Sequence, residues 1–148
     1  MTGGLSYDLH KLTSRMDRVA DEILRRQEAI TYSRFLALLA VRRSEGTQRD
    51  LARWLGLSDP SASRMVRLLA AEGLLTVTTT PGGGNRRTLR LTPTGSGLVD
   101  RCGLLLEEHF SAVVGRSGVP YEDYHRFTRR LLEHLSTGST PPRLETPA

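Results

Sequence analysis

The residues whose types and spacing could do chemistry are serines and arginines between residues 58 and 67. At about 100° per residue of helix, Arg64 and Arg67 fall on one side, with Ser61 and Ser63 on its flanks. The opposite side is small and apolar, and is formed by Ala62, Met65, Val66 and Leu69. Such a helix can bring arginines to base edges in the major groove of DNA, where a guanidinium hydrogen-bonds guanine O6 and N7. The pattern predicts a recognition helix with four candidate contact residues.

A second pair of arginines, Arg86 and Arg87, follows a glycine-rich turn at residues 81–85. The flanking segments, 74–80 and 86–91, are rich in Thr, Val and Leu, as strands are. A phosphate-cradling loop is excluded, because it requires a Lys-Ser or Lys-Thr ending and a following helix. The turn could simply close a hairpin. We expect in addition that its edge carries both arginines into a narrow minor groove, whose negative potential attracts guanidinium groups.

Helices must hold these two arginine pairs in place. Capping residues and apolar periodicity predict helices over 5–27 and 32–43, after Thr47, Ser58 and Thr92, and over about 121–135. Gly56 separates the third and fourth helices, where a tight turn requires positive φ. Trp54 is expected to pack in the core rather than bind a ligand. The order of elements predicts a mainly α fold with a small β-hairpin, a winged helix-turn-helix with flanking dimerisation helices.

The first helix carries an apolar seam with a period near 3.5 residues. The seam consists of Leu5, Leu9, Leu12, Met16, Val19 and Ile23. This period suits packing along another helix, either in a partner subunit or in the chain's own core. We expect residues 1–30 and 93–136 to form a helical dimerisation region around a DNA-binding region at 31–92. The polar, proline-rich segment 137–148 is expected to be a disordered tail.

The positive charge of the chain is concentrated in its middle. The net charge is +5 over 148 residues. Residues 29–92 carry ten arginines against four acids, whereas the segments on either side are close to neutral. A local surplus of arginine is expected of a nucleic-acid surface, although a solvated basic face has the same composition. No apolar run approaches the roughly 18 residues of a membrane span, and the start lacks a signal-peptide core, so a cytoplasmic protein is expected.

No catalytic or metal-binding set emerges from the remaining residues. His10, His109, His125 and His134 are scattered and share no metal-ligand spacing. The single cysteine, Cys102, cannot form an internal disulfide and is expected to be a small buried residue rather than a redox sensor. His109 lies on an apolar stripe, which favours a hydrogen-bonded residue in the interior. Of all the candidate site residues, it is the most weakly supported, as a residue that lines an effector pocket. The chain is therefore not expected to be an enzyme or to need a cofactor.

Three stretches resemble the MarR family of bacterial transcription regulators. They are LSDPSASRMVRLLAAEGLL at 57–75, NRR at 85–87 and LTPTG at 91–95, and the resemblance is specific across roughly residues 30–97. It implies a winged-helix homodimer joined through its first and last helices and bound to a palindromic operator. It also implies a repressor of nearby genes that is released by a small phenolic or other lipophilic effector.

The resemblance assigns individual residues by position. Ser61, Ser63, Arg64 and Arg67 match the major-groove residues of the family, and Arg87 matches the arginine of its Asp-x-Arg wing motif. The chain departs from the family at two places. Asn85 stands where the motif usually has Asp, which removes the ion pair that would brace the wing, and Val77 stands where an arginine is common.

The leading hypothesis is a homodimeric, sequence-specific regulator that binds double-stranded DNA. The alternative is a winged-helix protein–protein interaction module inside a larger complex, which would give no retarded DNA band and a stable partner in a pull-down. A small enzyme is a third hypothesis, against which the missing catalytic set argues.

Overall fold

The computed structural model describes residues 3–44, 46–79, 81–84 and 86–137. Its elements are, in order, α1 (Leu5–Gln27), α2 (Tyr32–Arg43), α3 (Gln48–Leu55), α4 (Asp59–Ala71), β1 (Leu75–Thr79), β2 (Arg87–Leu91), α5 (Pro93–Arg116) and α6 (Tyr121–Ser136). This order confirms the predicted winged helix-turn-helix. The chain divides into two compact units, one up to residue 107 and one from residue 108. The predicted tail lies outside the described residues, apart from Thr137, and so does Asn85.

Four predicted caps begin four of the helices. The side chains of Thr31, Thr47, Ser58 and Thr92 each accept a hydrogen bond from the backbone N–H three residues later, at 3.0–3.3 Å. A cap of this kind satisfies an amide that has no partner inside the helix and contributes about 1 kcal/mol. The caps fix where α2, α3, α4 and α5 start. Gly56 ends α3 with φ of +64°, as the tight turn to α4 requires.

The core of the first unit is assembled from α1, α2, α3, α4, the hairpin and the part of α5 up to Leu106. Its largest fully buried side chains include Leu24, Leu38, Leu51, Leu69 and Leu89. Burying a leucine contributes about 1.5–3 kcal/mol, so these residues dominate the stability of the unit. They also leave the opposite faces of α3 and α4 open to solvent.

The prediction that Trp54 packs in the core is wrong, because its side chain is 50% exposed. The buried side of α3 is formed by Leu51 and Ala52. Trp54 follows Ala52 by two residues, about 200° further around the helix, so the indole lies on the outer side.

The hairpin is joined to the start of α3 as well as to itself. β1 pairs with β2 in antiparallel register, with Val77 opposite Leu89. Thr47 forms a further antiparallel bridge with Thr88, and the Leu89 N–H donates to the Gly46 carbonyl at 2.5 Å. Gly46 has φ of +80°, and a Cβ there would lie 2.7 Å from the Leu89 carbonyl oxygen, so only glycine fits. The backbone bond holds the hairpin against the helix-turn-helix.

The start of α5 is held against the end of the helix-turn-helix. Thr92 donates its N–H to the Leu74 carbonyl at 3.1 Å and its hydroxyl to the Gly73 carbonyl at 2.7 Å. A Cβ on Gly95 would lie 1.9 Å from the Leu74 carbonyl oxygen. The LTPTG stretch therefore needs glycine at its last position because two backbones approach closely there.

Ion pairs link the helices that support the first unit. Arg34 on α2 pairs with Glu72 at the end of α4, with 3.0 Å between Nη1 and Oε1. Arg101 on α5 pairs with Glu28 at the end of α1, with 3.1 Å between Nε and Oε2. These contacts hold together elements that are far apart in the sequence.

The strongest of these links joins α2 to α5. Arg42 donates from Nη1 to Asp100 at 2.7 Å, and from Nη2 to both the carbonyl and the hydroxyl of Ser96 at 2.8 and 2.9 Å. One guanidinium thus binds two residues of α5 through three acceptors.

Asp21 on α1 caps the next helix. Its Oδ1 accepts from the Tyr32 N–H at 2.9 Å, and its Oδ2 accepts from Arg25 at 2.6 Å. The backbone hydrogen bond from Tyr32, with a smaller contribution from Arg25, lowers the pKa of the Asp21 carboxyl from its ordinary value. The short turn after α1, in which Ala29 has φ of +53°, is therefore held by a charged carboxylate.

Each unit leaves apolar side chains uncovered. In the first unit Leu5, Leu9 and Leu12 of the predicted α1 seam are exposed, Leu5 by 74%. In the second unit α6 has no buried residue, and its exposed apolar side chains are Phe127, Leu131, Leu132 and Leu135. Two helices with uncovered apolar sides remain available to a partner. None of the described helices is long and apolar enough to cross a membrane.

Candidate nucleic-acid interface

Helix α4 presents arginine on one side and packs through the other. Ala62, Val66 and Leu69 are buried, whereas Arg64 and Arg67 are exposed. The spacing of three residues between the two arginines places them on one outward ridge of the helix. The structure thus brings the two arginines to the same accessible ridge, as the helical spacing predicted.

Ser61 and Ser63 flank this ridge and have different surroundings. The Ser61 hydroxyl accepts from Ser58 Oγ at 3.0 Å and from Arg64 Nη2 at 3.2 Å. Ser61 therefore belongs to the cap of α4 and orients the guanidinium of Arg64. Ser63 makes no such contact within the described residues and lies on the flank that faces the wing.

An open cleft of about 870 Å³ lies between α3, α4 and the tip of the hairpin. Its walls come from the start of α3, the start of α4 and the wing, and the lining residues are Thr47, Gln48, Arg49, Asp50, Asp59, Pro60, Ser63, Gly83, Arg86 and Arg87. The structure thus brings Arg86 and Arg87 together with Ser63, and separates these three from the ridge of Arg64 and Arg67.

The cleft includes an arginine that the sequence analysis did not single out. Arg49 lies in the first turn of α3, where a positive side chain opposes the helix dipole. This position could have identified Arg49 from the sequence. A cation in the first turn destabilises the helix unless an anion binds there. Three arginines from two elements therefore line one cleft.

The arginines of this surface have no partners among the described residues. The side chains of Arg49, Arg67, Arg86 and Arg87 make no hydrogen bond or ion pair within those ranges, and neither do those of Arg53 and Arg90. On the ridge and in the cleft, unpaired guanidiniums create a positive potential that attracts phosphate; Arg53 and Arg90 lie outside the cleft. The geometry is therefore suited to DNA, with a ridge that can enter a groove and a basic cleft beside it.

The other candidate residues lie apart from this surface. Cys102 is fully buried, and burial is the main cause that raises the pKa of its thiol to about 11. At neutral pH it is therefore protonated and poorly nucleophilic. His109 lies on α5 in the second unit, with its ring edge-on to Phe110 at 5.8 Å. It lines neither the cleft above nor the shallower one between α2, β2 and α5, so its effector role stays a prediction.

No metal site accompanies the surface within the described residues. No group of three or more His, Cys, Asp or Glu side chains there could hold an ion. The arrangement offers hydrogen-bond donors and positive charge.

Comparison with known proteins finds a family model that matches part of the chain. The model of the MarR family matches residues 30–86, a segment that runs from the start of α2 to the tip of the wing. No curated protein matches the chain.

Several solved structures share the fold over most of the chain. Wild-type MarR from E. coli in its apo form has a TM-score of 0.75 and 19% identity, with 91% of this chain and 99% of that chain covered. The S. aureus MepR–DNA complex has a TM-score of 0.71 and 24% identity, with 92% and 99% covered. S. aureus MarR in complex with salicylate and kanamycin has a TM-score of 0.74 and 18% identity, with 90% and 91% covered.

Proposed function

We propose that this chain is a transcription regulator of the MarR family, whose model matches residues 30–86, and that it binds a palindromic operator in double-stranded DNA as a homodimer. Members of this family are transcription regulators and not enzymes, which agrees with the absence of a catalytic set in the sequence. The observation that carries the proposal is the ridge of α4, where Arg64 and Arg67 are exposed above a buried apolar side. The DNA bound in the S. aureus MepR structure supports the same use of this fold.

The uncovered apolar side chains of α1 and α6 support the homodimer. Leu5 is 74% exposed and Leu135 is 75% exposed, and a soluble chain is stabilised when such surface is covered. A second copy carries the same two helices, and a symmetric interface can cover the apolar side of each helix. Two recognition helices related by a two-fold axis then match the two halves of a palindrome.

In this proposal the protein represses nearby genes and is released by a small lipophilic or phenolic effector. The support is the family and the S. aureus MarR structure, which holds salicylate. His109 remains the candidate from this chain for contact with such a ligand.

Footprinting on the DNA upstream of the protein's own gene, over a series of salt concentrations, tests the proposal. We expect two protected half-sites about 34–36 Å apart, or one helical turn, and an affinity that falls linearly on a double-logarithmic salt plot. Protection of a single half-site would argue against the dimer. Absence of a retarded band, with a stable protein partner in a pull-down, would favour the docking module and overturn the proposal.

Replacing Arg64 with alanine tests the role of the ridge. Arg64→Ala should weaken binding to the cognate duplex by about 1–3 kcal/mol and blur base preference at one position, because a bidentate contact to guanine is lost. Arg90→Ala is the matched control, since it removes another exposed arginine, which lies on the hairpin outside the ridge and the cleft. Equal losses on cognate and random duplexes after Arg64→Ala would contradict a base-reading role.

A further inference from the structure

The cleft between α3, α4 and the wing is lined by positive charge from two elements that face each other. Arg49 projects from the first turn of α3, and Arg86 and Arg87 lie at the edge of the wing. Ser63 of α4 lies in the same cleft and adds a hydroxyl that has no partner within the described residues. Guanidinium forks and a hydroxyl are the donors that hold a phosphate group in proteins.

The two acids of the cleft do not neutralise these arginines. Asp50 accepts a hydrogen bond from the Thr47 hydroxyl at 2.5 Å, which ties its carboxylate to the cap of α3. Asp59 lies in the first turn of α4, where the helix dipole stabilises a negative charge. Neither acid forms an ion pair with an arginine of the cleft within the described residues. The three guanidiniums therefore remain available to an anion from outside.

We propose that this cleft seats one phosphodiester group of the DNA backbone, held by Arg49, Ser63 and the two wing arginines. The proposal rests on the DNA-binding function above and changes three assignments within it, the first being that Arg86 and Arg87 bind a phosphate and not the minor groove. Arg49 joins the interface, and Ser63 binds the backbone instead of a base edge. Since a phosphate contact carries no sequence information, the cleft positions the duplex while the ridge of Arg64 and Arg67 reads it.

The cleft also explains the position of Arg49 on its helix. The unfavourable interaction between its charge and the dipole of α3 is offset when a phosphate lies at that end, because the free amides of the first turn and the guanidinium then face the same anion. The bond between Gly46 and Leu89 keeps the start of α3 beside the wing, so both walls can approach a single phosphate.

The variant Arg49→Gln tests the proposal, with Arg53→Gln as its control. Arg53 is exposed on the same helix, one turn later and outside the cleft. We expect Arg49→Gln to lower affinity by about tenfold on cognate and random duplexes alike. The slope of log affinity against log salt should become shallower by at most about 0.9, the value for one phosphate, because Arg86 and Arg87 still face the same group. Arg53→Gln should leave both quantities near those of the wild type, and thermal melting would show that both variants are folded.

Neutral phosphates locate the contact. We would measure a series of duplexes, each with one methylphosphonate at a different position. At one position the wild type should lose affinity, whereas the affinity of Arg49→Gln should not fall further. Ser63→Ala should weaken both duplexes equally and lose its effect at that same position.

The possible results distinguish the phosphate contact in the cleft from DNA binding itself. An unchanged salt slope in Arg49→Gln would show that the cleft does not hold a phosphate, and so would a loss of affinity on the cognate duplex alone after Ser63→Ala. Either result would leave the proposed DNA binding intact. Failure of the wild-type protein to bind any duplex would overturn both the proposed function and the phosphate contact in the cleft.

Discussion

The arginines of the supporting helices and those of the α3–α4–hairpin segment are used in different ways. The six ion pairs of the described residues all take their arginine from α1, α2, α5 or α6. Within the same residues, no arginine of α3, α4 or the hairpin has a carboxylate partner. Each arginine carries the same charge in both regions, and the difference lies in whether a carboxylate is next to it.

The difference teaches how the same side chain serves structure in one region and recognition in another. A guanidinium that already holds a carboxylate must give it up before it can bind a phosphate, and the desolvated acid left behind adds to the cost. An unpaired guanidinium has no such cost. We therefore expect substitutions of the paired arginines to change stability, and substitutions of the unpaired arginines of the ridge and the cleft to change DNA affinity.

The largest effect is expected from the unpaired set. Arg87→Ala should lower DNA affinity by about tenfold on cognate and random duplexes, because a charge-assisted contact is lost, and should flatten the salt slope by at most about 0.9. The melting temperature should stay that of the wild type, since Arg87 holds no carboxylate within the described residues. Anisotropy titrations at several salt concentrations measure the affinity. A lower melting temperature with unchanged DNA affinity would mean that Arg87 stabilises the fold and does not bind DNA.

A smaller effect of the opposite kind is expected from Arg42. Arg42→Ala removes the contacts to Asp100 and Ser96, and should lower the free energy of unfolding by about 1 kcal/mol, since both partners are partly exposed. DNA affinity should change less than about twofold, because Arg42 lies on α2 and does not line the cleft, and a surface ion pair contributes little beyond stability. Arg43→Ala is the control, because it removes the neighbouring exposed arginine, which has no ion pair within the described residues. Chemical denaturation measures the difference, and equal losses in the two variants would mean that the Arg42 contacts add nothing.

The smallest effect concerns Asp21, where the ion pair matters less than the backbone contact. The pKa of Asp21 is lowered mainly by the Tyr32 N–H and less by Arg25, so Asp21→Asn should cost more stability than Arg25→Ala. Its lowered pKa contributes stability that is present above pH 3.8, the ordinary value, and is lost as the pH falls through the folded-state value. Urea titrations should show the difference between the wild type and Asp21→Asn at neutral pH and its disappearance well below pH 3.8. A difference that persists in acid would show that the carboxylate charge is not its source.

The features that the sequence predicted correctly depend on neighbours in the chain. The caps at Thr31, Thr47, Ser58 and Thr92, the positive φ of Gly56 and the exposed ridge of α4 all follow from residues within one or two helical turns. These contacts form wherever the helix itself forms, so local spacing is sufficient to predict them.

The features that the sequence missed depend on how distant elements approach one another. Arg49 and Arg86 are 37 positions apart and meet only because the hairpin folds back onto α3. The glycine at position 95 is required by the carbonyl of Leu74, which no local pattern reveals. Trp54 was assigned to the core from its residue type, whereas the side of the helix on which it lies decided the outcome.

The backbone bond between Gly46 and Leu89 has a consequence for the operator. Because it joins α3 to β2, the wing and the helix-turn-helix keep a fixed separation. One base pair inserted between the bases read by α4 and the stretch of DNA bound by the wing would move the two targets apart by about 3.4 Å and rotate one relative to the other. Such an operator could satisfy only one of the two elements at a time, so the protein would discriminate between sites by the length of their spacer as well as by their bases.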